Sequence, residues 1–157
     1  MYSKIEELTE VEINKRRRAL AKELEVKTAD IKYDGDGQVF RDGSREYMVL
    51  TDEEADAGVL ESVRGSAWAF NASFILSFCG LDQSGAKSLE SMQSAKCEGA
   101  NDFILSLIEK EEGGLATFAE EAASVDGRGH FLSSYDGAEL DLYDSKGKGR
   151  YYGYRTN

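Results

Sequence analysis

Apolar residues recur at helical spacing from residue 3 to 25, with Ile13, Leu20 and Leu24 on one face and Val11 and Ala21 at its edges. The spacing predicts a first amphipathic helix. Ser3…Glu6 and Thr9…Glu12 both fit a capping box, so either could start it. The basic run Lys15–Arg18 falls mostly on the opposite face, among glutamates, where pairs such as Glu12–Arg16 are expected. From Ile31 the period shifts to two. Residues 31–33, 38–41 and 45–50 read as short strands separated by the turn sequences at 34–37 and 42–43.

The stretch 50–80 reads as the central element. Thr51 and Glu54 form a capping box, and Ala55, Val59, Leu60, Val63, Ala67, Phe70, Phe74, Ile75 and Phe78 follow at helical spacing. Gly80 supplies a left-handed stop. Unbroken, such a helix of about 28 residues would be about 42 Å long. No charge follows Arg64 before Gly80, so Trp68, Phe70, Phe74 and Phe78 are expected in the core or an interface. Further helices are expected at 86–96, 100–112 and 115–124, with a break at Gly99. Alternation returns at 138–143 and 150–155, a second hairpin that should join the first. The expected architecture is α+β: one domain over 1–157, an antiparallel sheet of four to five short strands, a long central helix and three or four further helices.

Composition adds the charge. The chain has 157 residues and a net charge of −11. Residues 31–61 hold nine acids and three bases, and residues 98–126 hold eight acids and one base, balances of −6 and −7. Such a field repels nucleic acid and attracts basic protein surfaces. No apolar run is long enough for a membrane span and no signal peptide is legible at the N-terminus, so the expected location is the cytosol, with Cys79 and Cys97 reduced.

Candidate chemistry is sparse. Asp34–Gly37 has the start of a calcium loop, but the twelfth position, which requires a glutamate, is Arg45. One histidine and two distant cysteines cannot close a zinc site, and no nucleotide-binding or nucleophile-elbow pattern occurs. The segment Asp126–His130, with Tyr135–Gly137 beyond it, gathers an acid, Arg128 and His130 on a glycine-rich loop, where a general base could be oriented. No serine or cysteine nucleophile accompanies it, and a structural loop is the expectation. No catalytic, cofactor or metal residues are assigned.

The segments YMVLTDEEAD, WAFNASF, CEGANDFILSLIE, DGRGHFLSSYDG and YYGYR together resemble small acidic accessory proteins of bacteriophages and prophages. The resemblance runs from about residue 31 onward. It implies a host-cytoplasmic inhibitor of a defence system, foremost an anti-CRISPR protein that occupies the basic channel of an effector complex. The alternatives are an accessory protein binding another host factor and a small enzyme using Arg128 and His130. Two carboxylate sets are candidates for partner binding: Asp52, Glu53, Glu54 and Asp56 with Asp34 and Asp36, and Glu109, Glu111, Glu112, Glu120 and Glu121.

Overall fold

The Thr9 hydroxyl accepts from the Glu12 amide at 3.2 Å, and this cap starts helix α1 (Glu10–Leu24) in the computed structural model. The model describes residues 7–35, 38–95 and 97–157, with side chains described outside 95–98. The other candidate cap, Ser3, lies outside the described residues, as does Asp36. The chain is α+β: among the described residues, seven α-helices accompany one antiparallel sheet. It divides into two compact units, Met1–Asp56 with Gly127–Asn157, and Ala57–Asp126.

The first unit carries the sheet. Strands β1 (Ile31–Tyr33), β2 (Val39–Asp42) and β3 (Arg45–Leu50) form a meander; β4 (Leu140–Asp144) and β5 (Gly149–Arg155) form a hairpin. The two join through β3 and β5, where Leu50 faces Tyr152 and Tyr47 faces Arg155, giving the order β1-β2-β3-β5-β4. Alternation works as expected: Phe40, Tyr47, Val49, Leu142 and Tyr151 pack with Ala19, Leu20 and Ala21 of α1. Ile13 and Leu24 close the edge of that core.

Arg16 departs from the expected pattern. It is buried, although the charge pattern placed the basic run mostly on the solvent side. Its guanidinium donates to the Val49 carbonyl oxygen at 2.8 Å and to both Glu54 oxygens at 3.1 and 2.7 Å. The expected Glu12 pair is also present at 3.4 Å. Burial alone would raise the Glu54 carboxyl, but the Arg16 hydrogen bonds and charge and the Thr51 cap hold it below its ordinary value.

The second unit is helical. The expected single central helix is interrupted: α2 (Asp52–Ser66), which starts in the first unit, gives way to a 3-10 turn at Ala67–Ala69 and then α3 (Ala72–Phe78). Side-chain hydrogen bonds explain the break. Asn71 caps α3 by accepting from the Ser73 amide at 2.8 Å. Asn101 donates to the Arg64 carbonyl at 3.0 Å and accepts from the Trp68 amide at 3.1 Å, while Gln93 donates to the Trp68 and Phe70 carbonyls at 2.7 and 2.8 Å. Several backbone groups released by the break thus find side-chain partners, and the Phe70 amide bonds the Ala67 carbonyl. The Gly80 stop is present, with φ 63°.

Helices α4 (Ala86–Ala95), α5 (Cys97–Ile108) and α6 (Gly114–Asp126) complete the unit. Gly99 lies inside α5 rather than before it, and α5 ends at Ile108 rather than Glu112. Phe118 is fully buried, with Phe70, Phe74 and Phe78 around it at ring distances of 5.0, 5.2 and 5.1 Å. The aromatic run thus packs around Phe118, which is the buried centre, while Trp68, Phe70, Phe74 and Phe78 are themselves half-buried.

Candidate functional site

The DGRGH segment, expected as a loop, is divided: Asp126 ends α6 in the second unit, and Arg128–His130 open a five-residue helix α7 (Arg128–Leu132) in the first. Gly127, with φ 83°, turns the chain into it. Gly129 lies so close to the Gly137 carbonyl that a Cβ would overlap it. Arg128 is only 14% exposed and faces three carboxylates. It donates to Asp52 Oδ1 at 2.8 Å, Asp56 Oδ1 at 3.0 Å, and Glu139 Oε2 and Oε1 at 2.8 and 3.3 Å. Its guanidinium lies 4.4 Å from the Tyr152 ring centroid. Burial alone would lower its pKa, yet the hydrogen bonds to Glu139, Asp52 and Asp56 drive it upward. Tyr154, buried, donates its hydroxyl to Glu139; burial and that carboxylate push the phenol up.

Beyond α7 the chain is tied to the end of β5. The Ser133 hydroxyl donates to the Arg155 carbonyl at 2.7 Å, Asp136 accepts from the Ala138 amide at 3.0 Å, and the Arg155 guanidinium lies 3.6 Å from the Tyr135 ring centroid. His130 is exposed, and its ring stands edge-on to Phe131 at 5.0 Å. Three separated segments, LTDEEAD, RGHFLSSYDG and YYGYR, thus meet at Arg128.

This arrangement changes the standing of the first carboxylate set. Asp52 and Asp56 are exposed but paired with Arg128, Glu54 with Arg16, and Asp34 with Arg41. Asp42 and Glu46 pair with Arg45 and Arg41, and Glu61 with Arg64. Glu53 is exposed and, among the described residues, enters no ion pair. Most of the acidity of 31–61 is therefore answered by neighbouring guanidinium groups.

The second set is different. Among the described residues, Glu109, Glu111, Glu112, Glu120 and Glu121 enter no ion pair. Glu109, Glu112, Glu120 and Glu121 are exposed and Glu111 is half-buried. They surround the turn from α5 into α6, where Gly113 and Gly114 take φ 78° and 55°. Glu111, Glu112 and Glu121 line an open cleft of about 330 Å³ with Phe74, Ser77, Phe78 and Thr117. Burial first, and then the Glu111 charge, raise the nearby Cys79 thiol above its ordinary value. Glu109 and Glu120 stand outside the cleft.

The cleft itself was not legible in the sequence. Phe74 and Phe78 are four residues apart and read as core, but both are half-buried and form its apolar lining. The available signal was Ser73 and Ser77 alternating with them on a short helix, which marks a partly solvated face. Arg16, Glu139 and Tyr154 were likewise not singled out for the positions they hold.

No family model matches the chain, and no curated protein or solved structure matches it.

Proposed function

We propose that this protein is a non-catalytic inhibitor that docks on a basic surface through the carboxylates at the α5–α6 turn. The resemblance of its segments to phage accessory proteins makes an anti-CRISPR role the foremost form of that reading. The partner would then be an effector complex, and the blocked step its binding of nucleic acid. One observation carries the proposal: among the described residues, the five glutamates of the α5–α6 turn and α6 enter no ion pair, while the acids of 31–61 are largely paired. Unanswered charge held on a folded surface steers association with a lysine- and arginine-lined channel and opposes entry of the phosphate backbone. Catalysis through Arg128 has little support, because its guanidinium is engaged by three carboxylates and a tyrosine ring.

The test is interference by a CRISPR effector in cells producing the protein, with the purified pair measured at low and high salt. Lysine at Glu109, Glu112, Glu120 and Glu121 together should leave the fold intact and weaken binding at least tenfold, about 1.4 kcal/mol. Added salt should weaken the wild-type complex. Undiminished interference in the presence of the protein overturns the anti-CRISPR form. Undiminished binding by the fourfold variant overturns the surface.

A further inference from the structure

We propose that the cleft lined by α3, the α5–α6 turn and α6 is a receptor for one arginine side chain of the partner. This rests on the reading of the acidic surface above and narrows it to one site and one chemistry. Phe74 and Phe78 give the cleft an aromatic lining, and their rings are held by packing at 67° and 88° to Phe118. Glu111, Glu112 and Glu121 supply three negative charges, and among the described residues no basic side chain lines the cleft. Ser77 and Thr117 add hydroxyls that accept hydrogen bonds.

Each alternative occupant fails on one of these features. An apolar side chain would desolvate carboxylates without answering their charge. A nucleic-acid phosphate would be repelled. A metal ion needs ligands that converge, and among the described residues no three His, Cys, Asp or Glu side chains come close enough to hold one. Carboxylates spread around an aromatic lining suit a wide, flat cation instead. Guanidinium is planar and weakly hydrated, stacks on aromatic rings and takes carboxylates in a fork, whereas the lysine ammonium is a compact, strongly hydrated point charge. A volume of about 330 Å³ lies at the small end of ligand clefts and leaves room for one arginine side chain.

The test is an NMR titration of the ¹⁵N-labelled full chain with a capped glycine–serine peptide carrying one arginine. The same peptide with lysine, and with the neutral isostere citrulline, serve as comparisons. The arginine peptide should shift amides at 74–78 and 111–121, the lysine peptide should bind at least threefold more weakly, and citrulline should give no saturable shift. Glu111→Gln with Glu121→Gln should weaken the arginine peptide at least fivefold. Phe78→Leu keeps an apolar lining without the ring and should weaken it at least threefold, with circular dichroism confirming the fold. Glu109→Gln with Glu120→Gln, outside the cleft, should leave it unchanged. Equal binding of citrulline, shifts centred away from the cleft, or indifference to the Glu111/Glu121 pair would overturn the proposal. If lysine at Glu109 and Glu120 still abolishes partner binding in any of those cases, the acidic surface stands and the cleft alone falls. If partner binding is indifferent to both sets, both fall.

Discussion

Replacing Arg128 with Met tests whether the meeting point of α2, α7 and β5 holds the first unit together. Its pairs with Asp52 and Asp56, which are 66% and 62% exposed, contribute about 0.2–1 kcal/mol each in water-screened surroundings. The two-point bond to Glu139, 31% exposed, is a charge-assisted hydrogen bond in a drier place and contributes about 1.5–3 kcal/mol. Stacking on Tyr152 adds about 0.5–1 kcal/mol. Taking values toward the low end, Arg128→Met should cost about 3 kcal/mol, and Arg128→Lys, which keeps the charge but not the fork, about 2 kcal/mol. Urea denaturation reads this directly: at a slope near 2 kcal/mol/M the midpoint falls by about 1.5 M for the Met variant. A second measurement isolates the charge. Asp56→Asn should destabilise the wild type slightly, but stabilise the Met variant by relieving repulsion among three carboxylates. A loss below about 1 kcal/mol, or the same sign for Asp56→Asn in both backgrounds, would refute the view of Arg128 as the central tie.

Phe118→Ala should cost about 3–5 kcal/mol by cavity formation, while Phe74→Ala, at a half-buried ring lining the cleft, should cost about half as much; equal costs in urea melts would misplace the centre of that core. The Asp144 carboxyl, buried, is held below its ordinary value by the Arg18 hydrogen bonds, so its stabilising contribution is complete above about pH 4 and is lost as pH falls through its folded value. Asp144→Asn should therefore be clearly less stable than wild type at pH 7 with the gap closing toward pH 2; a gap constant over that range would contradict it.

Period and punctuation were enough to read the strands. Residues 31–33, 45–50 and 150–155 alternate, with Ile31, Tyr47, Val49 and Tyr151 in the core under α1 and Leu50 and Tyr154 in a second core with Ala55, and the glycine-bearing turns of the two hairpins leave little choice of register. The Thr51–Glu54 box was equally legible because both its hydrogen bonds are local, at 3.2 and 3.3 Å. The break at 66–71 was not, because its cause is distant. Asn101 and Gln93 satisfy backbone groups 23 to 37 residues away, and no window of apolar spacing contains them. For the same reason α7 was hidden: two glycines in five residues read as loop, yet Gly129 is there because the Gly137 carbonyl leaves no room for a side chain. The cleft fell between these cases. Its aromatic side lies on one short helix and its charge on a turn and on α6, more than thirty residues later, so only the folded helices bring them to one place.

Charge shows most clearly why placement outranks composition. The segments 31–61 and 98–126 carry balances of −6 and −7, nearly equal as sequence. In the folded chain the first segment meets arginines from α1, α7 and its own strands, so Asp52, Glu54 and Asp56 become structural ties. Reversing them would confuse stability with binding, since Arg16 and Arg128 would then face like charges. The second segment has a single basic residue, Lys110, and among the described residues no cation pairs with Glu109, Glu111 and Glu112 at the α5–α6 turn or with Glu120 and Glu121 on α6. Such charge is a standing cost through mutual repulsion, modest because water screens it. A partner's guanidinium and ammonium groups would relieve that repulsion on binding, so the surface gains more from a basic partner than the same number of paired carboxylates could. The α5–α6 turn is therefore where substitutions can separate binding from folding.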